Sequence, residues 1–252
     1  MDHQKTERTS LYVRKNRYVL VVDSDAHLLF YTTTLLKRFG YETSSAGIAK
    51  EAVYMASMAV PSLIITALDL KDMYGLDLIQ HLKKGQAFSD IPFITLRRQG
   101  DISGEKRSLE LGASECLYQP VAPERLYIAV QTATEIRPRK SIRLKTTLPV
   151  RVTNMPHNDI ESTTTLDLSE GGMFLRSSEP AEVNARLSIQ INLHGEIIPV
   201  DAVVVYSYKI AGGPHLQPGM GLEFVHIEPR SQELIRRFVR SEVTQGIVPM
   251  NA

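Results

Sequence analysis

Hydrophobic positions along the chain follow two different periods, and the change from one to the other falls near residue 136. Before it, short runs that are apolar at nearly every position alternate with longer stretches in which apolar residues return every three or four places. YVLVV, SLIITA and PFITL are the short runs, and continuous apolarity of this kind suits a strand buried on both faces. Between them, AHLLFYTTTLLKRFG sets Leu28, Leu35, Leu36 and Phe39 on one helical face, with Asp25 placed as N-cap and Gly40 as the C-terminal stop. GLDLIQHLKKG repeats the stripe with Leu76, Ile79 and Leu82, SGEKRSLELGA supplies a further helix, and APERLYIAVQTATEI the last. The alternation predicts an α/β doubly wound parallel sheet of the flavodoxin-like kind, with helices on both faces.

After RPRKSIR, a basic stretch containing Pro138, strand patterns separated by turn residues take over. LPVRVTN, STTTLDL, GMFLRSS, ARLSIQINL, EIIPVDAVVVYSYKI and GMGLEFVHI predict about six strands, several rich in the β-branched residues that suit a pleated surface. Short strands so closely spaced favour an all-β barrel. The final periodic segment, PRSQELIRRFVRSEV, brings Leu234, Ile235, Phe238 and Val239 onto one helical face, which is expected to pack on the barrel. The organisation read from the pattern is a tail over 1–16, an α/β domain over 17–135, a linker over 136–143, a barrel with its C-terminal helix over 144–245, and a tail over 246–252.

Composition narrows the chemistry. A chain of 252 residues, 43% hydrophobic and 23% charged, is long enough and apolar enough for two folded domains. Twenty-nine Lys and Arg against twenty-eight Asp and Glu leave a net charge of +1, so no whole-molecule field draws it to nucleic acid or an acidic membrane. Any anion site has to be local. Cys116 is the only cysteine, which excludes an internal disulfide and a cysteine-built zinc site and fits a reducing compartment. The seven histidines lack ligand spacing, so no metal is expected. The polar start MDHQKTERTS lacks the apolar core of a signal peptide, and runs such as AVVVY are too short to span a bilayer. A cytoplasmic protein without membrane insertion is the expectation.

The pieces VLVVDSD, SLIITALDLKDMYGLDL, IPFITL and LGASECLYQP, in that order and spacing, make the first half resemble a two-component receiver domain. The resemblance implies a magnesium-binding acidic pair after the first strand, a phospho-acceptor aspartate after the third, a Thr or Ser after the fourth, and a Lys before the proline after the fifth. These positions hold Asp23 and Ser24, Ala67, Arg97, and Gln119, so only Asp23 keeps the family's residue. A methyl group cannot be phosphorylated, and one carboxylate is a poor basis for an octahedral magnesium site. The stretch is thus similar to a receiver that has lost its chemistry, a pseudo-receiver. Asp25 and Asp69 stand close in sequence, but a helix cap and a solvated loop residue are the plainer readings. Arg97 is expected to fill the vacated acidic pocket by pairing with Asp23.

The second half resembles a PilZ domain, the bacterial receptor module for cyclic di-GMP. RKSIR supplies an R-x-x-x-R motif through Arg139 and Arg143, and DLSEGG supplies D-x-S-x-x-G through Asp167, Ser169 and Gly172; GMGLEF near the last strand is also typical. Guanidinium groups clamp phosphate oxygens, bond the guanine O6 and N7 edge, or stack on the base, and a carboxylate accepts the N1 and N2 donors of the opposite edge. The resemblance therefore assigns affinity to Arg139 and Arg143, guanine selectivity to Asp167, and a hydroxyl bond to Ser169. Gly172, with Gly171, is expected to allow positive φ and close approach of backbone to ligand. Arg137 and Lys140 are additional candidates, more exposed to solvent. Taken singly, RPRKSIR reads equally as a solvated basic linker and DLSEGG as an ordinary hairpin turn; taken together in a β-rich setting they point to a nucleotide site.

The function implied is a non-enzymatic cyclic di-GMP receptor without a cofactor, signalling to a protein partner or as a homodimer, in motility, surface attachment or exopolysaccharide control. A linker that is mobile when empty and folds over nucleotide would reset the angle between domains. Two other readings stay open: a scaffold whose PilZ fold no longer binds nucleotide, and a phosphorylation-driven response regulator. No recognition-helix motif or extended basic face points to DNA.

Overall fold

The structure, a computed structural model, describes residues 18–153, 160–209 and 217–247. The tail expected over 1–16 lies outside the described residues, as does all but the start of the one expected over 246–252.

The first domain runs β1 (Tyr18–Val22), α1 (Ala26–Arg38), β2 (Glu42–Ala46), α2 (Ala49–Met58), β3 (Leu63–Ala67), α3 (Gly75–Lys83), β4 (Phe93–Arg97), α4 (Ile102–Glu110), β5 (Glu115–Tyr118) and α5 (Pro123–Thr134). Its strands pair in parallel in the order β2-β1-β3-β4-β5, a doubly wound order. Every residue of β3 and β4 is buried, which is why both read as unbroken apolar runs. The pattern predicts neither β2 nor α2. β2 is ETSSA at the sheet edge with only Ala46 buried, and α2 buries nothing larger than Ala49, Ala52 and Ala56, so neither carries a strong hydrophobic signal.

Helix α1 is built as its sequence predicts at both ends. Asp25 Oδ1 accepts from the His27 and Leu28 N–H groups at 3.0 and 3.2 Å, and Gly40 turns the chain at φ +86° while Tyr41 N–H reaches Leu36 O at 3.0 Å. Its buried face is Tyr31, Leu35 and Leu36, continued by Phe39, with Leu28 only half-buried. At α3, Gly75 starts the helix against the end of β3; a Cβ there would lie 2.1 Å from Ala67 O, so only glycine permits the approach.

The second domain contains β6 (Leu144–Lys145), β7 (Pro149–Thr153), β8 (Ile160–Ser169), β9 (Gly172–Arg176), β10 (Arg186–Leu193), β11 (Glu196–Tyr208), β12 (Gly219–His226) and α6 (Pro229–Thr244). Six strands close antiparallel in the order β8-β7-β10-β11-β12-β9, and the pairing of β9 with β8 completes the barrel. Strict alternation fills it: Leu187, Ile189, Ile191 and Leu193 of β10 and Ile198, Val200, Ala202 and Val204 of β11 point inward. The short β6 pairs with Asp167 and Leu168 of β8, along the same edge as β7, and was not apparent in the pattern.

Helix α6 buries Ile235, Val239 and Val243, with Leu234 and Phe238 half-buried beside them. It packs on the barrel at β6 and β8 as expected, and it also packs on α1 and α5 of the first domain. Arg38 of α1 donates from Nη1 to Val243 O and from Nη2 to Gln245 O, both at 2.7 Å, satisfying carbonyls that a helix C-terminus leaves open. Ile142, in the predicted linker, and Ile247, in the predicted tail, are both buried in the same hydrophobic core, which runs from α1 and α5 through α6 into the barrel. The ordered C-terminal structure therefore extends past residue 245.

Candidate functional site

The first motif is carried into the barrel by β6. The pairings Leu144↔Leu168 and Lys145↔Asp167 set the register, and Arg143 directly precedes β6 at this end of β8. Residues directly opposite in an antiparallel pair share a face, and faces alternate along a strand. Leu144 and Leu168 thus face the core, while Lys145 and Asp167 share the other face, and Arg143 stands next to this paired end of the two strands.

The second motif is shaped by a bulge. The β8–β9 register shifts between Thr165 and Asp167, which inserts Leu166 and re-aims the following residues. The buried Thr165 hydroxyl bridges the irregularity, within 2.7 Å of Asp167 O and 2.9 Å of Phe174 O. Ser169 is buried and its Oγ donates to Gly172 O at 3.0 Å, closing the turn. The expectation for the glycines is corrected here. Positive φ occurs at neither Gly171 nor Gly172. Gly172 is required for a different reason: a Cβ there would lie 2.3 Å from Leu222 O on β12, so the close approach is to the neighbouring strand. Gly171 has open space around it.

Arg139 and Arg143 occupy different settings. Arg143 is half-buried, whereas Arg139 is exposed and held through its backbone, its N–H donating to Gln131 Oε1 at 3.2 Å. Gln131, buried at the end of α5, also donates from Nε2 to Tyr41 OH at 2.8 Å, and burial pushes the Tyr41 phenol above its ordinary range. The start of the motif is therefore pinned to the first domain. Arg137 and Lys140 are exposed. Next to both motifs a crevice of about 210 Å³ lies between the domains; Lys140 and Ser141 of the first motif, Glu170 of the second, and Arg236 and Arg240 of α6 all contribute to its wall. The sequence reading overlooked Lys145, Glu170, Arg236 and Arg240. Alternation from Arg143 to Lys145 and the spacing of the cations in RRFVR were the available signals.

In the first domain, the residues of the receiver pattern meet one another in a different way from that expected. Gln119 Nε2, and not Arg97, donates to Asp23 Oδ2, while the Asp25 N–H donates to Asp23 Oδ1 at 2.9 Å. Burial pushes the Asp23 carboxyl above its usual range, opposed by those two hydrogen bonds. Arg97 turns away: it is buried, pairs with Glu105 of α4 and lies over the Tyr118 ring with Cζ 3.6 Å from the centroid. Ser24 Oγ donates to Gly47 O at 2.8 Å and accepts from Lys71 N–H at 3.0 Å. Asp69 is exposed in a bridge to Tyr74, and Ala67 is buried at the end of β3.

Together the fold and the site define a signalling chain with two modules, neither from a catalytic family. The family model of the response regulator receiver domain matches residues 19–131, and that of the PilZ domain matches residues 137–241. The probable transcriptional regulator ycf27 of Cyanophora paradoxa is 30% identical over 114 residues, covering 45% of this chain and 46% of that protein. The regulatory protein LuxO of Vibrio parahaemolyticus is 26% identical over 125 residues, covering 50% of this chain and 26% of that protein. The chain thus spans half or less of the length of these two relatives. Among solved structures, a response regulator receiver domain protein from Clostridium thermocellum is 25% identical with a TM-score of 0.43, covering 46% of this chain and 93% of that one. The receiver domain of NtrX from Brucella abortus is 24% identical with a TM-score of 0.45, covering 47% of this chain and 99% of that one. The chain carries a response regulator receiver domain followed by a PilZ domain. No helix among the described residues is long and apolar enough to cross a membrane.

Proposed function

We propose that the protein is a non-enzymatic cyclic di-GMP receptor that signals to a protein partner through a receiver-like domain that is not phosphorylated. The observation that carries this reading is the register of β6 on β8, with Leu144 across from Leu168 and Lys145 across from Asp167, which brings the end of the first motif alongside the second. A forked cation close to a carboxylate is what a ligand with anionic phosphates and guanine edges requires. Arg139 supplies a second exposed guanidinium one motif length away. Control of motility, surface attachment or exopolysaccharide is the output that a PilZ receptor of this kind serves.

Calorimetric titration of cyclic di-GMP into the wild type and the Arg143→Ala variant tests the site. A charge-assisted hydrogen bond contributes about 1.5–3 kcal/mol, so the variant is expected to bind roughly tenfold to a hundredfold more weakly. Equal affinities would remove Arg143 from the site.

The loss of receiver chemistry rests on Ala67 and on the engagement of Asp23 by Gln119. Incubation with acetyl phosphate and magnesium is expected to give no covalent phosphoryl adduct by intact-mass analysis. A stoichiometric adduct cleaved by hydroxylamine, as an acyl phosphate is, would restore the phosphorylation-driven reading.

A further inference from the structure

Helix α6 touches both the nucleotide motifs and the receiver domain. Near its N-terminus, Gln232 Nε2 reaches Glu170 O at 3.5 Å, and Arg236 Nε donates to Glu170 Oε2 at 2.8 Å, so α6 is fastened to the turn that carries Ser169. One helical turn later, Arg240 Nε lies 3.6 Å from Glu124 Oε1 of α5, an ion pair between the two domains. Both guanidinium groups and both carboxylates border the interdomain crevice, which Lys140, Ile142 and Val239 also line. Three cations and two carboxylates thus face a space of about 210 Å³.

That volume is below the roughly 300–1,000 Å³ of a pocket that encloses a whole ligand of drug size. It suits one edge of a dinucleotide, with Arg139 and Arg143 left to cover the rest. A phosphate entering the crevice would meet the two carboxylates as repulsive groups and the two arginines as partners already held in place. The pairs to be broken are weak ones. Arg236 and Arg240 are about half exposed, and an exposed ion pair contributes at most about 1 kcal/mol.

We propose that Arg236 and Arg240 are phosphate ligands of the nucleotide site and that, while the site is empty, Glu170 and Glu233 occupy Arg236 and Glu124 occupies Arg240. This rests on the reading of the protein as a cyclic di-GMP receptor. Exchange of Arg240 from Glu124 to phosphate removes an interdomain ion pair, while the bonds from Arg38 to the end of α6 stay in place as a pivot. Nucleotide binding is then read directly as a change in how α5 sits on α6.

The test is titration of cyclic di-GMP into the full chain in four forms: wild type, Glu124→Gln, Arg240→Gln and the double variant. Removing the carboxylate is expected to tighten binding about threefold, and removing the arginine to weaken it about threefold with a shallower salt dependence. The gain from Glu124→Gln is expected to vanish when Arg240 is also replaced. A structural role for Glu124 would give weaker binding in Glu124→Gln, and that result, or unchanged affinity beside a wild type that binds, would overturn the proposal alone. A wild type that fails to bind would overturn the receptor reading beneath it as well.

Discussion

At the residue scale, Asp23 shows how a carboxylate just after β1 is held in a buried setting. Its carboxylate is buried, takes one backbone N–H and one amide, and is pushed up in pKa chiefly by desolvation. A carboxyl that holds its proton more tightly when folded gives stability that is present below its unfolded pKa and is lost as pH rises through the folded one. At neutral pH the ionised Asp23 is therefore a destabilising group. Asp23→Asn is expected to raise the melting temperature at pH 7, with the gain shrinking as the pH falls toward 4. A variant less stable than wild type at pH 7 would show that the charge is still compensated by something other than Gln119. The substitutions themselves, Ala67, Arg97 and Gln119, were legible from the sequence, but the exchange of partners was not. Whether Arg97 or Gln119 reaches Asp23 depends on which side of the sheet edge each side chain turns toward, and Tyr118 and Glu105 draw Arg97 away.

At the scale of elements, the legible parts are those whose burial is lopsided or complete. The runs LIITA and FITLR and the alternation in ARLSIQINL announce their strands, and the stripe through Leu76, Ile79 and Leu82 announces α3. The elements missed, β2, α2 and the two-residue β6, owe their existence to neighbours. β6 matters most, because it brings the end of the first motif alongside Asp167, and a strand of two residues has no periodicity to detect. Helix α6 was read correctly as amphipathic, but a single apolar face does not disclose that it is shared between two domains. Ile235 lies fully buried on that face. Ile235→Ala is expected to cost about 2–4 kcal/mol of unfolding free energy by denaturant titration. A loss under 1 kcal/mol would mean that α6 is not an integral part of the core.

At the scale of the whole molecule, the boundary drawn from the sequence as a linker is a junction. Ile142 is buried in it, Gln131 ties the Arg139 backbone to the first domain, and α6 closes over both halves, anchored by Arg38. The first domain thus keeps the sheet of a receiver, lacks an acceptor aspartate, and lies against the motif that a nucleotide would engage. On the proposed reading, a signal generated at that motif would reach the receiver surface through a change in the contacts at α5 and α6.

Equilibrium dialysis of the full chain with labelled cyclic di-GMP decides whether these motifs grip a guanine dinucleotide. Saturable binding is expected that unlabelled cyclic di-GMP displaces and cyclic di-AMP does not, because adenine lacks the N1 and N2 donors that Asp167 would accept. Absence of saturable binding, or equal displacement by the adenine analogue, would contradict such a grip.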